Sequence, residues 1–341
     1  MTAFVVRRLI LLPLVAFGVT LLIFGLLQML SPQMRAALYV TDPRQLRAVD
    51  SIIRMHGLDK PFHSQYVGWL GRVVRGDLGW SETAKMPVAK AIATFFPATL
   101  ELTIFAVVPI IVVGIWLGTL SAVHRDRLVD HFSRFFAISG TSMPTFVWGL
   151  LLLMVFYGAW QIFPPGRLSL EPNMYVLSQQ FRPYTRLMTV DALLNGQLWI
   201  FVDALRHLAL PVLTLSLVSC ATLVRVTRSS MLETLRQDYV RTARAKGLDS
   251  GVVVNKHARK NAMIPVVTLS ALLFVGLLNG VAITETVYGY PGIGLWGVNA
   301  AIQLDAAAVA GFALFNALLL VMGNLTADIL YALIDPRIRL R

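Results

Sequence analysis

A chain of 341 residues that is 56% hydrophobic and only 14% charged, with a mean hydropathy of +0.67, lacks the polar surface needed to coat a soluble globule of its size. Thirty Lys and Arg against eighteen Asp and Glu give a formal charge of +12, but the basic residues fall between apolar segments, which argues for orientation in a membrane over binding of nucleic acid. The one cysteine, Cys220, excludes an intramolecular disulfide framework and a cysteine metal cluster.

A membrane helix needs roughly 20 apolar residues to cross a ~30 Å hydrocarbon layer, because lipid cannot satisfy free backbone groups. Hydropathy predicts six such spans, at residues 9–30, 98–123, 135–163, 205–224, 263–286 and 306–334. The first follows Arg7 and Arg8; it is longer than a signal-peptide core and has no small-residue cleavage site before Ser31, so it reads as a retained helix.

Six spans place both termini on one side, and charge selects the side. The ends, the link bearing Arg125, Arg127 and Arg134, and the stretch from Arg225 to Lys260 together carry seventeen of the basic residues. Nine of the thirteen on the opposite side lie in the long segment 31–97, where loop charge loses control of orientation. Both termini are therefore expected in the cytoplasm, with 31–97, 164–203 and 287–305 outside. The turn signals Asp42-Pro43, Gly57-Leu58-Asp59-Lys60-Pro61 and Gly76-Asp77-Leu78-Gly79 predict a folded extracytoplasmic subdomain over 31–97. The loop 164–203, with Pro164-Pro165-Gly166 and Pro172, is expected to be irregular.

The loop 225–262 is of another kind: strong helix formers, with no proline before Pro265. A short helix from Asp238 to Lys246 is expected, Asp238 complementing its dipole and Gly247 supplying a left-handed end. Two readings are open on composition. The segment is a solvated basic loop that serves orientation or anionic headgroups, or it is a docking helix in which Tyr239, Val240, Ala243 and Leu248 make apolar contact between the charged rims Arg241, Arg244 and Lys246.

The run Tyr239-Val-Arg-Thr-Ala-Arg-Ala-Lys-Gly247-Leu, followed by His257-Ala-Arg-Lys-Asn-Ala-Met-Ile-Pro265, resembles the EAA loop of binding-protein-dependent ABC transporter permeases, and most closely the dipeptide/oligopeptide branch. Gln65-Tyr66, Pro97-Ala-Thr-Leu-Glu101-Leu102, Glu285-Thr286, Tyr290-Pro291-Gly292-Ile293-Gly294 and Asp335-Pro-Arg337-Ile338-Arg339 extend the resemblance over nearly the whole chain, in the form of the B-type subunit with its large first external loop. The chain departs from the broad EAA pattern at Arg241 and Thr242, where that pattern has Glu and Ala.

The resemblance implies an all-α integral membrane protein of six transmembrane helices with the type I ABC importer permease fold and a folded extracytoplasmic first loop. Its organisation would be an N-terminus and first helix (1–30), an extracytoplasmic subdomain (31–97), a permease core (98–334) containing the cytoplasmic loop 225–262, and a tail (335–341). It implies a multi-pass subunit of a bacterial or archaeal cytoplasmic membrane that is not an enzyme. Its partners would be a C-type permease, two cytoplasmic ATPases that hold ATP and Mg, an extracytoplasmic substrate-binding protein, and membrane lipid. The helix carrying Asp238, Tyr239, Arg241, Thr242, Ala243, Ala245, Lys246 and Gly247 would couple to the ATPases, Gly247 giving a sharp exit and Ala243 and Ala245 close approach of the partner. Peptides are the implied cargo, with oligosaccharides and nickel open within the branch.

Other signals are weaker. Gly292-Ile-Gly294-Leu-Trp-Gly297 satisfies GxGxxG, but it follows a membrane helix rather than a strand. No GxxxxGK[ST] occurs, so nucleotide chemistry falls to another chain. Gly114-Ile-Trp-Leu-Gly118 and Gly276-Leu-Leu-Asn-Gly280 are candidates for close helix packing. Glu101 and Asp328 lie near span ends and read as capping groups, Asn279 and Asn316 as interhelical or pathway polar groups, and His207 as a membrane-edge residue. A stand-alone secondary transporter or an intramembrane enzyme are the alternatives. The first lacks inverted repeats and has no use for a docking loop; the second lacks a converging polar set.

Overall fold

The computed structural model describes residues 2–36, 39, 49–56, 58–279 and 281–334, with side chains from 13 to 326 within those ranges except His56 and Val49. Asp42-Pro43, Gly57, Gly280 and the Asp335–Arg339 motif lie outside the described residues, as do the side chains of Arg7, Arg8 and Asp328. In chain order come α1 (Thr2–Leu27), α2 (Pro32–Ala36), α3 (Val49–His56), α4 (Phe62–Val74), the strands β1 (Trp80–Ser81) and β2 (Met86–Pro87), α5 (Val88–Val123), α6 (Leu128–Ser142) and α7 (Thr145–Leu153). Then follow α8 (Leu170–Leu177), α9 (Met188–Leu194), α10 (Leu198–Leu235), α11 (Asp238–Ala245), α12 (Ser250–Val252), α13 (Arg259–Leu278), α14 (Ala282–Tyr288), α15 (Ile293–Ile302) and α16 (Ala306–Ile334).

Among the described residues four helical segments are long and apolar enough to cross a membrane: Val88–Val123, Leu198–Leu235, Ser250–Leu278 and Ala306–Thr326. The part of α1 whose side chains are described, Pro13–Leu27, is apolar but shorter. The third expected span differs in kind. α6 and α7, the latter prolonged by a π-helical turn (Met154–Ala159), meet at 101°. No charged residue interrupts the run, but Pro144 has no N–H to give and forces the residue before it, Met143, into extended backbone (φ −110°, ψ 138°). The fifth expected span also stops early, at Leu278, and α14 is a separate helix that Gly289 closes in the left-handed conformation at φ 60°.

The spine is α5 against α10. An added Cβ at Gly114 would lie 2.6 Å from Leu223, and one at Gly118 would lie 2.6 Å from Thr227, so this glycine pair does permit close packing. Gly276 differs, with nothing within 4 Å of the same construction. α13 packs on α10, and α16 on α13, where Gly323 clears Val275. At 38 residues α10 is about 57 Å long, well beyond the hydrocarbon thickness, so it projects past it.

The described residues of the segment after α1 pack back against it. Phe24 of α1 meets Phe62, Tyr66 and Trp69 of α4 at ring separations of 5.3 to 5.5 Å, and Thr20 shares a 2.9 Å hydrogen bond with the Tyr66 hydroxyl. Gln65 bridges Gln28, Arg35 and the backbone of Leu58 and Lys60. The β1–β2 ribbon, with Trp80 opposite Pro87, leads directly into α5, which begins ten residues before the expected span and runs through Pro97. The expectation of an irregular 164–203 is corrected: α8 and α9 form there, and Asp191 accepts from the backbone of Thr185 and Arg186 at 2.7 and 2.8 Å, which fixes the start of α9.

Candidate functional site

α11 stands between the long α10 and α13 and presents two unlike faces. Val240 and Ala243, three residues apart and therefore on one side of the helix, are buried in a cluster with Met231, Val253, Ala258 and Ala262. Ala243, expected to face a partner, is thus turned inward: only 5% of it is exposed, and the close approach its small side chain permits is to its own chain. Asp238, Tyr239, Arg241, Thr242, Ala245, Lys246 and Gly247 are exposed. Asp238 and Arg241 sit 3.5 Å apart with side chains 95% and 79% exposed, a pair too solvated to stabilise the helix much.

The ends of α11 are fixed by the backbone. Gln237 is extended (φ −69°, ψ 150°) and Asp238 lies in the first turn, where its charge complements the dipole. Gly247 has φ +76° and donates to Arg244 O at 2.9 Å. A Cβ there would meet nothing within 4 Å, so glycine is required by conformation and not by space. Asp249 then caps α12 through Gly251 N at 2.7 Å. α12, a π-helical turn (Val253–Ala258) and α13 run on as one helix.

Side chains fasten this loop to the transmembrane helices. Asn261 at the start of α13 donates to the Tyr239 hydroxyl at 3.0 Å, and Ser230 of α10 donates to Ala262 O at 2.8 Å. Asp130 of α6, fully buried, accepts from Arg228 Nε and Nη2 at 2.7 and 2.9 Å, from Ser121 Oγ at 2.6 Å and from Asp126 N at 3.0 Å. α5, α6 and α10 are thereby joined beside the loop. Sequence reading missed this node, because a pair 98 residues apart leaves no periodic trace and Arg228 was counted only as one of many basic residues.

A second polar network lies at the other end of α5. Glu101, expected to cap, joins four segments instead: it accepts from Thr189 N and Oγ1 at 2.6 and 2.7 Å, from Arg167 Nη2 at 2.8 Å and from the Tyr290 hydroxyl at 3.3 Å. Burial and the adjacent Glu101 carboxylate push the Tyr290 phenol far above its usual range, which keeps it a donor. Glu285 accepts from Thr99 Oγ1 at 2.5 Å and from Leu295 N at 2.8 Å. An added Cβ at Gly292 would fall 2.1 Å from Glu285 Oε1 and one at Gly294 2.8 Å from Oε2; Gly297 makes room for Phe312. The GxGxxG spacing therefore records close packing against Glu285, Ala282 and Phe312 rather than a phosphate cradle.

The remaining candidates behave differently. Asn279 closes α13 and donates to Val275 O of its own helix at 2.8 Å. The Oδ1 of Asn316 is buried and accepts nothing among the described residues. His207, expected at a membrane edge, is only 2% exposed, with its Nε2 3.2 Å from Ser169 Oγ and 3.6 Å from Asp203. Among the described residues no three His, Cys, Asp or Glu gather as metal ligands.

A chain of apolar spans with a short, largely solvent-exposed helix between two of them invites comparison with transport proteins. Residues 110–340 match the family described as binding-protein-dependent transport system inner membrane component. The chain belongs to that family. Relatives of this inner membrane component cover it almost end to end. It is 41% identical to the di/tripeptide transport system permease protein DppB of Pseudomonas aeruginosa, over 99% of both chains. It is 42% identical to the probable D,D-dipeptide transport system permease protein DdpB of Escherichia coli, over 95% of this chain and 94% of that one. It is 34% identical to the oligopeptide transport system permease protein AppB of Bacillus subtilis, over 99% of each.

Proposed function

We propose that this chain is the B-type membrane subunit of an ATP-driven importer of short peptides. The observation that carries the reading is the near-complete match to three relatives whose names specify di-, D,D-di- and oligopeptide transport. The subunit forms half of the translocation path with a C-type permease. It spans the membrane six times, α1 and the bent α6–α7 pair completing the set, with both termini in the cytoplasm and the folded segment 31–97 outside, where a substrate-binding protein delivers cargo. ATP and Mg belong to two cytoplasmic ATPases, and this chain contributes no catalytic residue.

In this reading α11 is the coupling helix. Its exposed Asp238, Tyr239, Arg241, Thr242, Ala245, Lys246 and Gly247 seat in an ATPase groove, while Val240 and Ala243 anchor it to α10 and α13. The anchoring supports a lever: a helix fixed to its own spans by an apolar face, Asn261–Tyr239 and Ser230–Ala262 transmits displacement instead of swivelling. The test uses cells that make the full set of subunits. A cysteine at Arg241 is expected to crosslink to an ATPase subunit, and labelled dipeptide uptake is expected to depend on this chain. Uptake unchanged in cells lacking it removes the peptide assignment, and failure to crosslink removes the coupling assignment.

A further inference from the structure

Between α6 and α10, beside the Asp130–Arg228 node, lies a groove of about 790 Å³. Arg134, Arg225, Arg228 and Arg236 line it together with Ile138, Val224 and Leu232. Arg228 is committed to Asp130. The other three are exposed and among the described residues make no ion pair: Arg134 touches only the ring of His131 at 2.7 Å, and Arg225 the Thr141 hydroxyl at 3.1 Å. One acid, Glu233, lines the same groove. The positions 225, 228, 232 and 236 recur at three- and four-residue steps, so these side chains form a stripe about 16 Å long on one face of α10 and the residue that caps it. From the opposite wall α6 contributes Ala137 and the exposed Ile138.

We infer that this groove binds an anionic phospholipid, its phosphate held by Arg134, Arg225 and Arg236 and an acyl chain laid on Ile138 and Leu232. Guanidinium groups pair with phosphate oxygens through two parallel hydrogen bonds, and here they stand beside apolar side chains near the α11 end of α10. A free anion would need only the arginines, and the apolar Ile138 and Leu232 beside them suit an acyl chain. The inference rests on the proposed orientation, since it places the groove in the cytoplasmic leaflet, where anionic lipid attracts basic side chains.

The experiment uses the assembled transporter in mild detergent, with native mass spectrometry after addition of phosphatidylglycerol, phosphatidylcholine or inorganic phosphate. The native complex is expected to retain phosphatidylglycerol more than about tenfold over phosphatidylcholine, an Arg134→Gln/Arg225→Gln/Arg236→Gln complex to lose that preference, and the corresponding lysine triple to keep part of it. Equal retention by native and glutamine complexes overturns the site, and displacement of the lipid by inorganic phosphate alone reduces it to a free-anion site. A cysteine at Ile138 that crosslinks efficiently to the second permease also overturns it, the groove then being protein-covered. Orientation is read separately: labelling of Gln237→Cys from outside intact cells refutes the cytoplasmic placement without altering lipid preference in detergent.

Discussion

Arg228 reaches from α10 to grip Asp130 on α6 through two parallel hydrogen bonds, at 2.7 and 2.9 Å, and Asp130 itself has no exposed surface. Removing one partner strands the other. Arg228→Gln is expected to destabilise the protein by about 3 kcal/mol, because the carboxylate stays buried without its countercharge, whereas Arg228→Gln with Asp130→Asn regains a substantial part. Thermal unfolding of the purified protein in one detergent compares the three; a double variant as unstable as the single one contradicts the pairing.

At Gly247 the penalty is expected to be conformational. With φ at +76° and open space around a notional Cβ, Gly247→Ala costs about 1 to 2 kcal/mol of local backbone strain and leaves membrane insertion intact. Gly247→Arg adds bulk on the exposed side. The expected outcome is normal abundance in the membrane by immunoblot together with loss of peptide uptake; full uptake by the arginine variant rules out a docked α11.

The opposite logic holds at Gly292. Its Cβ would collide with Glu285, so Gly292→Ala is expected to cost about 2 to 3 kcal/mol by prising the carboxylate from Thr99 and Leu295. Gly276→Ala, with nothing within 4 Å, is expected to change the stability of the isolated chain by less than about 0.5 kcal/mol. Melting curves check both. If Gly276→Ala impairs co-purification with a second permease while the isolated chain is unaffected, that face of α13 is an interface.

Orientation has its own measurement. With Cys220 replaced by alanine, single cysteines at Met55 and Leu128, which are 77% and 86% exposed, are expected to react with an impermeant maleimide from opposite sides: Met55 in intact cells, Leu128 only after the membrane is opened. The reverse pattern inverts the assignment of 31–97.

What the sequence disclosed depended on the range of each cause. Hydropathy located α5, α10, α13 and α16 because a lipid-crossing helix must be apolar over its whole length, a property local in sequence. The helix from Asp238 and the left-handed Gly247 were legible because dipole complementarity and positive φ act within one turn. The bend at Pro144 was visible as a proline but hidden by the apolar run around it. The inward turn of Ala243 and the roles of Asp130, Glu101 and Glu285 were not legible, since each depends on partners more than about sixty residues away or on the way the loop folds back on α10.

α10 carries Asp203, which accepts from Ser169, near one end and Thr234, which precedes α11, near the other. Those two residues are separated by about 46 Å of unbroken helix, interrupted only by the missing donor at Pro211. A tilt imposed at the α11 end, as the proposed coupling requires, would therefore be carried to the Asp203 end by one continuous helix with no intermediate relay.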